Sequence, residues 1–166
     1  MPPVSSLRAR TLTRNAFTPF GDVLDTRGAP DRIINQGLCG RFHDRARLDF
    51  GDGRAGISLF DAEPRALPYR LELLERHPLG SQAFIPMTFQ PFLVIVAEDL
   101  GDRPGQVHAF VTAPGQAINF LRGTWHGVLT PLHAPGLFAV IDRIGDGANL
   151  EEYPLSKPIL VEAAEE

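Results

Sequence analysis

The chain has 166 residues, enough for one domain with its own core, and 43% of them are hydrophobic, a globular composition. A net charge of −4, with 16 Lys and Arg scattered along the chain, argues against the concentrated basic face that nucleic-acid binding requires. No apolar stretch approaches the ~20 residues that span a bilayer, the segment MPPVSSLRARTLTRNAF lacks the apolar core of a secretory signal, and the lone Cys39 rules out an intrachain disulfide, so a reducing cytoplasm is the expected compartment.

In chain order, LTRNAF reads as a short helix with Thr13 as its cap, stopped by Pro19. Strands follow. DVLD is short, RIIN runs into a Gln36-Gly37 turn, and AGISLFDA follows the turn Gly51-Asp52-Gly53. In YRLEL, Tyr69, Leu71 and Leu73 alternate with Arg70 and Glu72, the period-two pattern of a half-buried strand. Leu74 breaks that alternation and predicts a bulge or twist just before Glu75. AFIPM, PFLVIVA, VHAFVT, AINFLR and LFAVIDRI are short apolar runs ended by turn residues. The last residues, VEAAEE (161–166), read as a frayed acidic tail. Nine or ten strands in a single domain, 1–166, predict an all-β sandwich or barrel. Periodicity does not choose between a jelly roll, a lipocalin-like barrel and an immunoglobulin-like sandwich, although the missing cysteine pair counts against the last.

The residues that carry chemistry gather at ERHPLGSQ. Glu75 and His77 are two apart, which in a strand puts both on one face, and Gln82 begins the returning strand after the Pro78–Ser81 turn. His126, in RGTWHG, completes the cluster from a facing strand. Imidazole and carboxylate donors suit a divalent first-row metal such as Ni²⁺, Mn²⁺ or Zn²⁺, with the Gln82 carbonyl a weaker ligand. The metal set is therefore Glu75, His77, Gln82 and His126. His108 and His133 show no pattern and read as structural, as does Cys39. No nucleophile elbow, phosphate-cradling loop or Cys-x-x-Cys pair occurs.

The pattern Glu75-x-His77-x4-Gln82 resembles the first metal motif of the cupin superfamily, and Gly123-x-x-His126 resembles the second. More closely, LERHPLGSQAFIPM, together with AFTPFGDVLD, INQGLCGRFHD, HAFVTAPGQAINFLRGTWH and the Asp142–Glu152 segment, resembles the ureidoglycolate lyases, once called ureidoglycolate hydrolases. The resemblance implies a cupin jelly roll, a homodimer and an enzyme of allantoin and purine nitrogen catabolism. Its substrate would be (S)-ureidoglycolate and its products glyoxylate and urea. Two positions depart from the family pattern. Leu121 stands in a usual Asn-Tyr-His-Arg and Gly127 in a usual Trp-His-His-Pro, so two imidazoles are absent near the second motif.

That reaction is an elimination from a carbinolamide. The hydroxyl loses its proton, the carbonyl forms, the C–N bond breaks and the urea nitrogen gains a proton. The expected parts are an arginine for the carboxylate, a base with a pKa near neutrality, and a metal or fixed donors for the oxyanion. The reading gives His126 or His77 as base or metal ligand, Gln82 for the ureido group or the metal shell, and Glu75 as ligand or imidazole orienter. Arg122 takes the carboxylate if the chain stays extended from 122 to 126. Glu72 is an alternative to Glu75, and His43 with Asp44 reaches the site across a dimer interface. Two other outcomes compete: a cupin paralogue that binds or acts on another small hydroxy or oxo acid, and an amidohydrolase that releases ammonia.

Overall fold

The computed structural model describes residues 3–165. In chain order the strands are β1 (Ser5–Arg8), β2 (Arg10–Thr11), β3 (Gly21–Leu24), β4 (Arg32–Ile34), β5 (Cys39–Arg41), β6 (Arg54–Ala62), β7 (Tyr69–Arg76), β8 (Gln82–Pro86), β9 (Phe92–Asp99), β10 (Pro104–Val111), β11 (Ala117–Phe120), β12 (Trp125–His126), β13 (Thr130–Pro131), β14 (Gly136–Ile144) and β15 (Glu151–Glu162). The one helix among the described residues, α1 (Arg14–Phe17), starts where the sequence places it, with the Thr13 hydroxyl accepting from the Ala16 N–H at 3.2 Å.

The larger sheet runs β1-β15-β7-β12-β9-β10-β2. Its two ends belong to one N-terminal stretch: β1 pairs with β15 and β2 with β10, both in parallel. The sheet therefore curls into a nearly closed barrel and leaves little free edge. A second sheet, β3-β11-β8-β14-β6, packs against its outside. This is the all-β, cupin-like barrel that the sequence resemblance implies.

The strand β9 explains why the sequence reads as it does. Leu93, Ile95 and Ala97 face the inside of the barrel with Leu71, Leu74, Trp125 and Val161. Phe92, Val94 and Val96 face the second sheet, where Phe84, Ile118, Phe120, Phe138 and Val140 meet them. A strand buried on both faces needs apolar residues at every position, hence the unbroken run FLVIVA.

The irregularity foreseen before Glu75 is present: Leu71 and Leu74, three apart, are buried in the same cluster, and across from them Leu73 pairs with Pro154 and Leu71 with Ile159, so 155–158 loop out opposite Glu72. Two other readings change. The acidic tail begins later than residue 161, because Val161 is fully buried and Val161 and Glu162 belong to β15. The long strand β15 itself was not read from the sequence, since two prolines, Pro154 and Pro158, and charges interrupt its pattern where it bulges or lies half-exposed.

Candidate active site

The strand β12 is two residues long, and its register decides the site. His126 pairs with Glu75 of β7 on one side and with Val96 of β9 on the other. Directly paired residues project from the same face of a sheet, so Glu75 and His126 share the face turned toward the second sheet. His77 lies two residues past Glu75 and joins them. The ligating atoms of Glu75, His77 and His126 all lie within 4.8 Å of one another.

Both imidazoles are held in one tautomer. The Nδ1 of His77 is 2.7 Å from the Asn149 carbonyl oxygen, and the Nδ1 of His126 is 2.9 Å from the Gly127 carbonyl oxygen. A carbonyl only accepts, so each Nδ1 carries a proton, and in the neutral ring it is Nε2 that presents the lone pair. Both Nε2 atoms are buried and have no hydrogen-bond partner. The ring centroids of His77 and His126 are 5.2 Å apart. Phe120 lies flat on His126, 4.4 Å between centroids and 4° between planes.

Burial sets the electrostatics. Desolvation drives the pKa of His126 down to about 3, outweighing its hydrogen bond to Gly127. Its ring is therefore neutral at pH 7 and poorly suited to receive a proton. Of the two expected roles for His126, base or metal ligand, a neutral ring favours the ligand. Desolvation pushes Glu75 the other way, above the usual carboxylate range, and the facing Glu152 adds to the rise while His77 opposes it. Two imidazole nitrogens and a carboxylate, all within 4.8 Å of one another, fit a divalent first-row cation with three protein ligands and open positions. The carbonyls behind the imidazoles are the outer-shell partners such ligands use.

The other expected residues separate. Gln82, on β8, pairs with Phe120 on one side and Asp142 on the other, so its side chain leaves the sheet on the face that carries the Phe120 ring. Its amide donates to Asp142 Oδ2 at 3.1 Å, and its Oε1 is buried without a partner. Arg122 does not stand beside His126. The chain turns at 121–124, with Gly123 at φ +79° and the Thr124 N–H bonded to the Leu121 carbonyl, so the extended path assumed for 122–126 does not exist. Instead, the Arg122 Nε donates to the Pro78 carbonyl at 2.7 Å, and Nη1 lies 3.7 Å from Asp49 at the surface. The Gly123 N–H bonds the His77 carbonyl, which ties this turn to the 77–80 turn. Glu72 is exposed and pairs with Arg70. The His43 N–H bonds Asp31, and neither His43 nor Asp44 belongs to the cluster within one chain.

Sequence reasoning passed over Asn149 and Asp142, although both lie in the Asp142–Glu152 segment that carries the resemblance. Asn149 holds His77 by its carbonyl and the Leu79 N–H by its side-chain oxygen at 2.8 Å. No periodicity signals such a residue; only a three-dimensional partner does. The absent imidazole at 127 is also placed. A Cβ on Gly127 would face Ile95 at 3.3 Å and Leu71 at 3.7 Å, inside the barrel and away from the cluster.

A profile of the ureidoglycolate lyase family matches residues 4–162. A ureidoglycolate lyase of Rhodobacter capsulatus is 64% identical over 157 residues, covering 94% of this chain and 98% of that protein. The ureidoglycolate lyase 2 of Rhizobium meliloti is 49% identical, covering 95% and 98%. A ureidoglycolate lyase of Mesorhizobium japonicum is 50% identical, covering 92% and 95%. With matches that run through both halves of the Glu75–His77–His126 cluster and across nearly the whole chain, the protein belongs to the ureidoglycolate lyase family.

Proposed function

We propose that this protein is the lyase that cleaves (S)-ureidoglycolate to glyoxylate and urea, with Glu75, His77 and His126 at its centre. The observation that carries the reading is the meeting of two unpartnered Nε2 lone pairs and one carboxylate in a chain of this family. Glu75, His77 and His126 would hold a divalent cation, which when bound supplies Lewis-acid polarisation of the substrate hydroxyl. One carboxylate oxygen of Glu75 serves as ligand, and the other takes the hydroxyl proton and returns it to the departing nitrogen, so no proton is consumed. The two imidazoles stay fixed by their backbone carbonyls. Gln82 accepts from the ureido N–H through Oε1. Arg122, half-exposed at the rim, exchanges its long contact with Asp49 for the substrate carboxylate. The same reading includes a homodimer in the cytoplasm and a place in purine nitrogen breakdown.

The test is release of urea and glyoxylate from racemic ureidoglycolate by chelated protein, then with Ni²⁺, Mn²⁺ or Zn²⁺ restored. Equimolar urea and glyoxylate that return with the metal are expected. Turnover insensitive to chelation would leave the lyase and remove the metal. Ammonia in place of urea would identify the amidohydrolase, and no turnover a paralogue for another small acid.

A further inference from the structure

Asp142 has no part in the reaction as read above, yet it holds Gln82 by a part-buried side-chain hydrogen bond. Gln82 is 6% exposed and sits between Phe120 and Asp142 across three adjacent strands. A primary amide offers two donors on nitrogen and two acceptor positions on oxygen, and either end can face a neighbour. The neighbour decides. Asp142 presents a carboxylate oxygen 3.1 Å from Nε2, so the NH₂ end is the end that faces it. The reverse orientation would set two oxygens against each other. The carbonyl end is therefore turned away from β14, buried and without a partner. Phe120, the register partner of Gln82 on the other side, carries the ring that covers His126. A buried, oriented acceptor beside the residue that covers His126 is suited to receive an N–H.

We propose that Asp142 is a positioning residue that fixes the Gln82 amide with Oε1 toward the site, and that this acceptor selects ligands carrying an N–H donor, the ureido end over the oxo-acid end. The proposal rests on the reading of the site given above, and deepens it by assigning the two ends of the substrate. A site that hydrogen-bonds a substrate N–H discriminates strongly against a ligand without one, because the buried acceptor is then left unpaired. In Asp142→Asn the new amide can offer either end, so Gln82 is no longer held one way. In the exchange Gln82→Glu with Asp142→Asn, the asparagine donates and the carboxylate at 82 again presents an oxygen to the site.

The experiment is equilibrium binding of urea and of glyoxylate, separately, to the metal-loaded full chain, with melting curves for each variant and turnover measured alongside. In Asp142→Asn, urea affinity should fall about tenfold while glyoxylate affinity stays within about twofold. Gln82→Leu should lose urea to the same extent, and the double exchange should recover most of the loss. Equal changes for both ligands, or none, in folded Asp142→Asn would overturn the assignment, as would a folded double exchange that recovers nothing. If Asp142→Asn does not fold, Gln82→Leu and the double exchange decide by the same criteria. Wild-type turnover with no effect of the variants on urea sinks this inference and leaves the lyase standing. Urea binding governed by Asp142 without turnover does the reverse.

Discussion

Trp125 and His126 are neighbours in sequence, both about 2% exposed, on the same two-residue strand. They face opposite ways. Trp125 packs among Leu71, Leu74, Ile95 and Val161 inside the barrel. His126 faces the space between the sheets, covered by Phe120 and set beside His77 and Glu75. The first environment stabilises the fold by removing apolar surface from water. The second buries unpaired lone pairs and a carboxylate, which costs stability. Trp125 also buries an unpartnered Nε1, but as one donor on a large apolar body, whereas the cluster gathers two imidazole nitrogens and a carboxylate in one place.

The sharpest break between the two sides comes from substitutions at each. His126→Leu removes a buried acceptor at similar volume. It should lower kcat/KM at least about 100-fold while leaving the melting temperature equal or higher. Trp125→Ala should cost about 3–5 kcal/mol by denaturant unfolding. Trp125→Phe, which keeps most of the aromatic body, should hold kcat/KM within about threefold. A His126→Leu variant that loses stability as Trp125→Ala does would end the comparison.

Acid gives a second contrast. The folded pKa of His126 is depressed, so below about pH 6.5 the unfolded chain binds a proton that the metal-free fold refuses. Stability should then fall as pH drops from about 6.5 toward about 3, by at most about 1.4 kcal/mol per unit from this group. Glu75 works against it: its folded pKa is raised, so its contribution is present at low pH and fades as pH rises past its unfolded value. Asp25 is lowered despite partial burial by Gln116, Arg27 and Arg14, so its contribution is also lost in acid. The difference between wild type and His126→Leu isolates the histidine. Parallel stability–pH curves for the two proteins would show that His126 is not held neutral.

Much of this was legible in the sequence. The continuous FLVIVA run, the Thr13 cap and the punctuation by Gly and Pro gave the β architecture, because burial and turn chemistry act locally. The placing of Glu75 and His77 on one face followed from a period of two. What could not be read was set by partners far along the chain. The closure of the barrel depends on β1 meeting β15, some 150 residues away. The orientation of Gln82 depends on Asp142, and that of His77 on Asn149. Arg122 was misplaced because Gly123 takes a positive φ, a choice that one glycine in RGTWHG permits but does not announce.

Arg122 lies outside both environments, at the surface, and a smaller effect follows. Arg122→Lys should raise KM about three- to tenfold with kcat nearly unchanged, because an ammonium cannot make the paired contact a guanidinium makes with a carboxylate. Steady-state kinetics on ureidoglycolate measures it. Unchanged KM would confine Arg122 to clamping the 77–80 turn through Pro78.

The finest test is at Gly127, one residue past His126 and two past Trp125. The alternation of a strand puts it on Trp125's side, and its nearest neighbours there are Ile95 and Leu71. Its φ is not in the left-handed region, so alanine meets no backbone strain and gains from a less flexible unfolded chain. Against that stands one tight contact, 3.3 Å to the Ile95 Cβ, which asks Ile95 to shift by a few tenths of an ångström. The two effects offset, and Gly127→Ala should change stability by less than about 1 kcal/mol. Because the methyl points into the barrel, kcat/KM should not move. A tenfold drop in kcat/KM with the melting temperature intact would mean that residue 127 communicates with the cluster through the strand itself. The division between a side that holds the fold and a side that holds the chemistry would then fail at its narrowest point.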